Sequence, residues 1–63
     1  MNPIFYLIQV VDKLESQLGY TVYRREGDIL IIGDSFKVEL WTNNMPDRDA
    51  IAATAMLNGL LGV

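Results

Sequence analysis

Asp47 and Asp49, with Asn43 and Asn44 just ahead of them, are the one local set of oxygen donors suited to a hard cation such as calcium or magnesium. Their spacing departs from an EF-hand loop, which alternates oxygens, places a glycine at its centre and closes on a glutamate. Acidic residues in the first turn of a helix are accounted for by the helix dipole, and that is the expected role of both aspartates. The chain has no histidine and no cysteine. Ser-His and Cys-His pairs and thiolate zinc sites are therefore excluded. Ser16 and Ser35 have no local activating motif. No phosphate loop of the form G-x-x-x-x-G-K-[ST] occurs. Gly27-Asp28 and Gly33-Asp34 read as hairpin turns rather than a dinucleotide fingerprint. The expectation is a chain with no catalytic residue, no cofactor and no metal.

Nucleic acid is the next chemistry to weigh. Arg24, Arg25 and Lys37 can gather near Tyr23 and Trp41, which would combine charge with stacking surface. Glu26, Asp28 and Glu39 sit among them and repel phosphates. The net charge is −3, from five basic and eight acidic residues. A phosphate-backbone binder needs a dense basic surface, so direct nucleic-acid binding is not expected.

What must position any site is one small domain over residues 1–63. A chain this short buries only about 60% of its unfolded surface. Small folds add a disulfide, a metal or a second subunit, and without cysteine or histidine the second subunit or a partner remains. Half the residues are hydrophobic (51%), which argues against disorder. No basic region precedes the first apolar run, and no apolar stretch reaches the ~18 residues of a membrane span. A cytoplasmic protein with no membrane association is expected.

"NPIFYLIQVVDKLESQLG" predicts a helix, with Asn2 as cap, Pro3 in the first turn and Gly19 as the stop. Ile4, Leu7, Ile8, Val11, Leu14 and Leu18 form its apolar stripe. Phe5, Tyr6 and Glu15 fall off it or at its edge. Three strands follow: "YTVYRRE", "ILII" and "SFKVELW". Then "TNNMPDRD" leads into a second helix, about Asp47 to Leu61, with Asn44 and Asp47 resembling a capping box. Its inner side is expected to carry Ala50, Ala53, Met56, Leu57, Leu60 and Leu61. The order predicts a two-layer α-β-β-β-α domain of the α+β class, a three-stranded antiparallel meander packed against two helices on one face. One helix on each face is the alternative.

With Gly27-Asp28 and Gly33-Asp34 as two-residue turns, Ile31 faces Arg24 and Phe36, and Ile29 faces Val38. One face then collects Tyr20, Val22, Ile29, Ile31, Phe36, Val38 and Leu40 as core. The other collects Thr21, Tyr23, Arg25, Leu30, Ile32, Lys37, Glu39 and Trp41. A sheet wet on one side alternates apolar and polar residues, and Leu30, Ile32, Tyr23 and Trp41 break that rule. In one reading, Tyr23 and Lys37 lie across Leu30 and Ile32 and shelter them. In the other, Tyr23, Leu30, Ile32 and Trp41 are anchors for a partner, with Arg25 and Lys37 at the rim.

A second anomaly needs no register. From Ala50 to Val63 no side chain is charged, whereas a solvated helix face normally carries charge. Ile51, Ala55, Asn58 and Gly59 are the expected dimerisation residues on that helix, and Thr54 lies beside them. These features predict a non-catalytic protein-interaction module, homodimeric, that docks a protein partner through a sheet or helix face. The competing expectation is a small acidic inhibitor of a host enzyme or nucleoprotein complex, by analogy of size and charge with anti-CRISPR and host-takeover proteins of phages and mobile elements. It would use a patch at Glu26, Asp28 and Asp34.

Overall fold

The computed structural model describes residues 2–62. Helix α1 spans Pro3–Leu18, strands β1, β2 and β3 span Thr21–Arg25, Asp28–Ile32 and Lys37–Trp41, and helix α2 spans Asp47–Leu60. The strands form one antiparallel sheet in the order β1-β2-β3. This is the expected α+β meander with two helices.

Helix α1 is delimited as its sequence demands. The Asn2 side-chain oxygen accepts a hydrogen bond from the Ile4 amide at 3.0 Å, Pro3 opens the first turn, and Gly19 ends the helix in the left-handed region at φ 71°. Leu7, Val10, Val11 and Leu14 are buried, at spacings of three, four and seven that place them on one side. The stripe is turned relative to expectation. Val10 belongs to the core, while Ile8 and Leu18 stay exposed. A helix resting on one layer buries a band only about 100° wide, and α1 carries more aliphatic residues than that band holds.

Helix α2 starts differently from expectation. Asn44 does not cap it. Its backbone is left-handed (φ 59°), inside a turn in which the Met45 amide donates to the Thr42 carbonyl. Pro46 occupies the cap position without a side-chain bond, and its carbonyl accepts from the amides of Asp49 and Ala50 at 3.0 and 3.1 Å. Asp47 and Asp49 stand in the first turn, where negative charge offsets the exposed amides. Ala50 and Leu57 are buried, and Ala53 and Leu61 pack against the core. Met56 and Leu60, expected among them, are exposed. At 100° per residue Met56 lies about 100° round the helix from Leu57, while Leu60 lies about 60° from it, at the edge of the buried side in the last turn.

The two hairpins are each displaced by two residues from the expected register. The first turn is Glu26-Gly27, with positive φ at both residues (51° and 88°), as a primed two-residue turn requires. Asp28 thereby joins β2 and faces Arg25. The second connection uses four residues, Gly33 to Phe36, closed by the Gly33 amide donating to the Phe36 carbonyl at 3.0 Å. Ile31 therefore faces Val22 and Val38, and Ile29 faces Arg24 and Leu40. A shift of two preserves the face of every side chain, so both faces keep their expected strand residues. Phe36 lies in the loop rather than in β3, and its ring meets Tyr20 edge-on at 5.4 Å. It also fills the space that a side chain at Gly33 would occupy.

Asn43 and Thr42 hold the first turn. Asn43 Nδ2 donates to the Glu26 carbonyl at 2.8 Å, and the Thr42 amide and hydroxyl both donate to the Gly27 carbonyl. A Cβ added at Gly27 would come within 2.6 Å of the Asn43 side chain. Glycine is thus required here twice over, by φ and by space.

Leu7, Val10, Val11 and Leu14 of α1, Ile29 and Ile31 of β2 and Leu57 of α2 form a single buried cluster. The molecule is 17 Å across its shortest extent. Layers pack about 10 Å apart, so two layers fit and a helix on each face would not. Both helices cover the Ile29-Ile31 side. Arg24 ties the sheet margin to α1, with Nη2 2.6 Å from Asp12 Oδ1 and Nη1 3.2 Å from Glu15 Oε1. Glu15, at the edge of the apolar stripe, thus has a partner within the chain. Among the described residues, no helix is long and apolar enough to cross a membrane.

Candidate functional site

The layered arrangement leaves two apolar surfaces uncovered. The first is the outer face of the sheet. Pairing sets its residues in three rows across β1, β2 and β3: Thr21-Ile32-Lys37, Tyr23-Leu30-Glu39 and Arg25-Asp28-Trp41. All six expected partner-contact residues, Tyr23, Arg25, Leu30, Ile32, Lys37 and Trp41, lie on this face. Tyr23 is 59% exposed, Trp41 68% and Ile32 37%, and Leu30 at the centre is half-buried. Tyr23 sits directly beside Leu30 and gives it partial shelter, but Trp41 lies across nothing apolar in its own row. Its indole Nε1 donates to Glu39 Oε1 at 3.2 Å, which fixes the ring's polar edge and leaves its faces free.

The charges of this face balance. Arg25 and Lys37 stand at opposite corners, with Asp28 and Glu39 between them. Arg24, expected to join them, lies on the core side of the sheet and is engaged by Asp12 and Glu15. Alternation along a strand enforces that separation. Of the three basic residues considered alongside Tyr23 and Trp41, Arg25 and Lys37 share this face and Arg24 does not.

The second surface is a groove of about 440 Å³ between the first turn of α1 and the middle of α2, walled by Pro3, Tyr6, Ile51, Thr54, Ala55 and Asn58. Three of the four expected dimerisation residues, Ile51, Ala55 and Asn58, meet there. Gly59 is exposed on the same helix but does not line the groove. Tyr6 is the contributor that reasoning from α2 alone misses. The signal for it is its position off the α1 stripe, together with Phe5. Phe5 and Met56, each more than half exposed, flank the groove walls in sequence without lining it.

A smaller cavity of about 290 Å³ lies between Ile8 and Val11 of α1 and the hairpin residues Arg24 to Ile29. It is bordered by the ion pairs of Arg24 already described. The acidic residues of the hairpin ends do not gather. Glu26 and Asp28 are at one end of β2 and Asp34 at the other, separated by a five-residue strand of about 14 Å.

The residues considered for a cation are dispersed into structural roles. Asn43 holds the first hairpin, Asn44 closes a turn, and Asp47 and Asp49 open α2. Among the described residues, no group of three or more acidic side chains is placed to hold a metal. Comparison with protein-family models, with curated proteins and with solved structures gives no match.

Proposed function

We propose that this chain is a non-catalytic protein-interaction module that works as a homodimer and docks a protein partner through the outer face of its sheet. One observation carries the reading. The four residues that misfit a solvated sheet, Tyr23, Leu30, Ile32 and Trp41, stand on one face with Arg25 and Lys37 beside them, and among the described residues no helix lies over that face. Two aromatic rings more than half exposed, an aliphatic floor and a balanced set of four charges match the make-up of an interface core with a polar rim. A solvated sheet needs none of the four apolar side chains. Trp41 is the anchor of largest area, and its bond to Glu39 holds it ready for contact. Arg25 and Lys37 set orientation.

The test is affinity capture from a lysate of the native host with wild type, Trp41→Ala and Tyr23→Ala. The expected outcome is a captured protein lost or strongly reduced with both variants while each remains folded by circular dichroism. A partner retained equally by all three proteins would sink the assignment of the sheet face.

A further inference from the structure

We propose that the groove between α1 and α2 is the seat of a second copy of this chain, the two helix layers facing one another about a twofold axis. This deepens the homodimeric part of the reading above by giving the dimer its surface. The first argument is charge. Residues 2–11 and residues 50–62 carry no charged side chain, and these two stretches supply every wall of the groove. Two copies with a net charge of −3 each repel when they approach at random. On this face they meet without opposing like charges. A basic or acidic partner finds no counter-charge to read there.

The second argument is self-complementarity. A twofold contact uses the same patch on both copies, so the patch must hold both the recess and what fills it. This face has a recess lined by Ala55, Thr54 and Asn58, with the exposed apolar side chains of Tyr6 and Ile51 at its walls. The third argument is area. A face one α2 in length and two helices wide covers roughly 420 Å² in plan per copy, and its corrugated accessible surface is larger, which brings a pair of copies toward the lower bound of a standard interface. Homodimer interfaces are also the more apolar class, which separates this face from the four-charge sheet face. A lipid surface is the other apolar occupant. Membrane-lying helices carry lysine and arginine beside the apolar side, and these two stretches have none.

Sedimentation equilibrium of the full chain from low micromolar to near-millimolar concentration tests the proposal. Wild type is expected to reach twice 7.1 kDa, with a denaturation midpoint that rises with concentration. Ala55→Glu and Ile51→Lys each place a charge in the seat and are expected to weaken association by on the order of 100-fold while circular dichroism stays helical. Ile32→Lys on the sheet is expected to leave the dimer intact. Should a groove variant unfold, isotope-filtered NMR on mixed labelled and unlabelled wild type reads the same point without substitution. Contacts between copies are expected at the Ile51 and Ala55 methyls. A monomer throughout the range overturns the proposal, as does a monomer that co-sediments with neutral phosphatidylcholine vesicles. So do folded dimers of both groove variants, or intermolecular contacts at Leu30 and Ile32 instead. The partner-docking reading stands or falls separately, because it is scored by capture with Trp41→Ala.

Discussion

The helix face and the sheet face expose comparable side chains and differ in what surrounds them. On the helix side, Phe5, Tyr6, Ile51 and Met56 stand among alanine, threonine, glutamine and glycine. On the sheet side, Tyr23, Ile32 and Trp41 are interleaved with Arg25, Asp28, Lys37 and Glu39. Apolar area alone does not tell two binding surfaces apart. Charge pattern does, because each desolvated charge must find a partner, and only a surface with matching charges supplies one. On the proposed reading, the uncharged face takes its own copy and the chequered face selects a partner.

The contrast breaks most sharply at adjacent residues. Ile31 is fully buried on the core side, and Ile32, next in sequence, is on the open face. Ile31→Ala is expected to cost about 2–5 kcal/mol, enough to unfold much of a domain this small, read by urea denaturation. Ile32→Ala is expected to cost under about 1 kcal/mol and to weaken partner capture. Equal losses of stability would mean that the two faces are not distinct. Next in size is Gly27→Ala, expected to cost about 1–3 kcal/mol through its left-handed φ and its collision with Asn43. Its amide spectrum should change around Thr42 and Asn43 while the helix face is unmoved. Trp41→Ala is expected to shift stability by less than about 0.5 kcal/mol, since the ring is mostly solvated. A larger loss would mean that the face is structural. Arg24→Gln is small as well. Its ion pairs to Asp12 and Glu15 are substantially exposed, and the cost, up to about 1 kcal/mol, should shrink with added salt.

The element order was readable because Gly19, Gly27 and Gly33 punctuate the chain where helix and strands end. The two faces were readable because both register errors were even in number. The cause of the first was not local. Glu26 adopts a left-handed backbone that few non-glycine residues take, held there by Thr42 and Asn43 from beyond β3. In the helices the apolar positions outnumber what one layer can cover. Periodicity alone leaves out Val10 and points Ile8, Leu18, Met56 and Leu60 inward, because it does not choose between neighbouring stripes. The groove was half visible. Ile51, Ala55 and Asn58 were marked by missing charge, while Tyr6 enters only once α1 is laid against α2.

The clasp of Thr42 and Asn43 on the Glu26-Gly27 turn also orders events in time. The two strands of the first hairpin are adjacent in sequence, yet their turn is completed by residues 15 to 17 positions later. A growing chain that has not yet supplied Thr42 presents β1 and β2 with an unfastened tip. The native pairing is then sealed only when β3 has been made and has crossed the full sheet. In pulse-labelled hydrogen exchange during refolding, the amides of β1 should gain protection together with that of Thr42, rather than ahead of it.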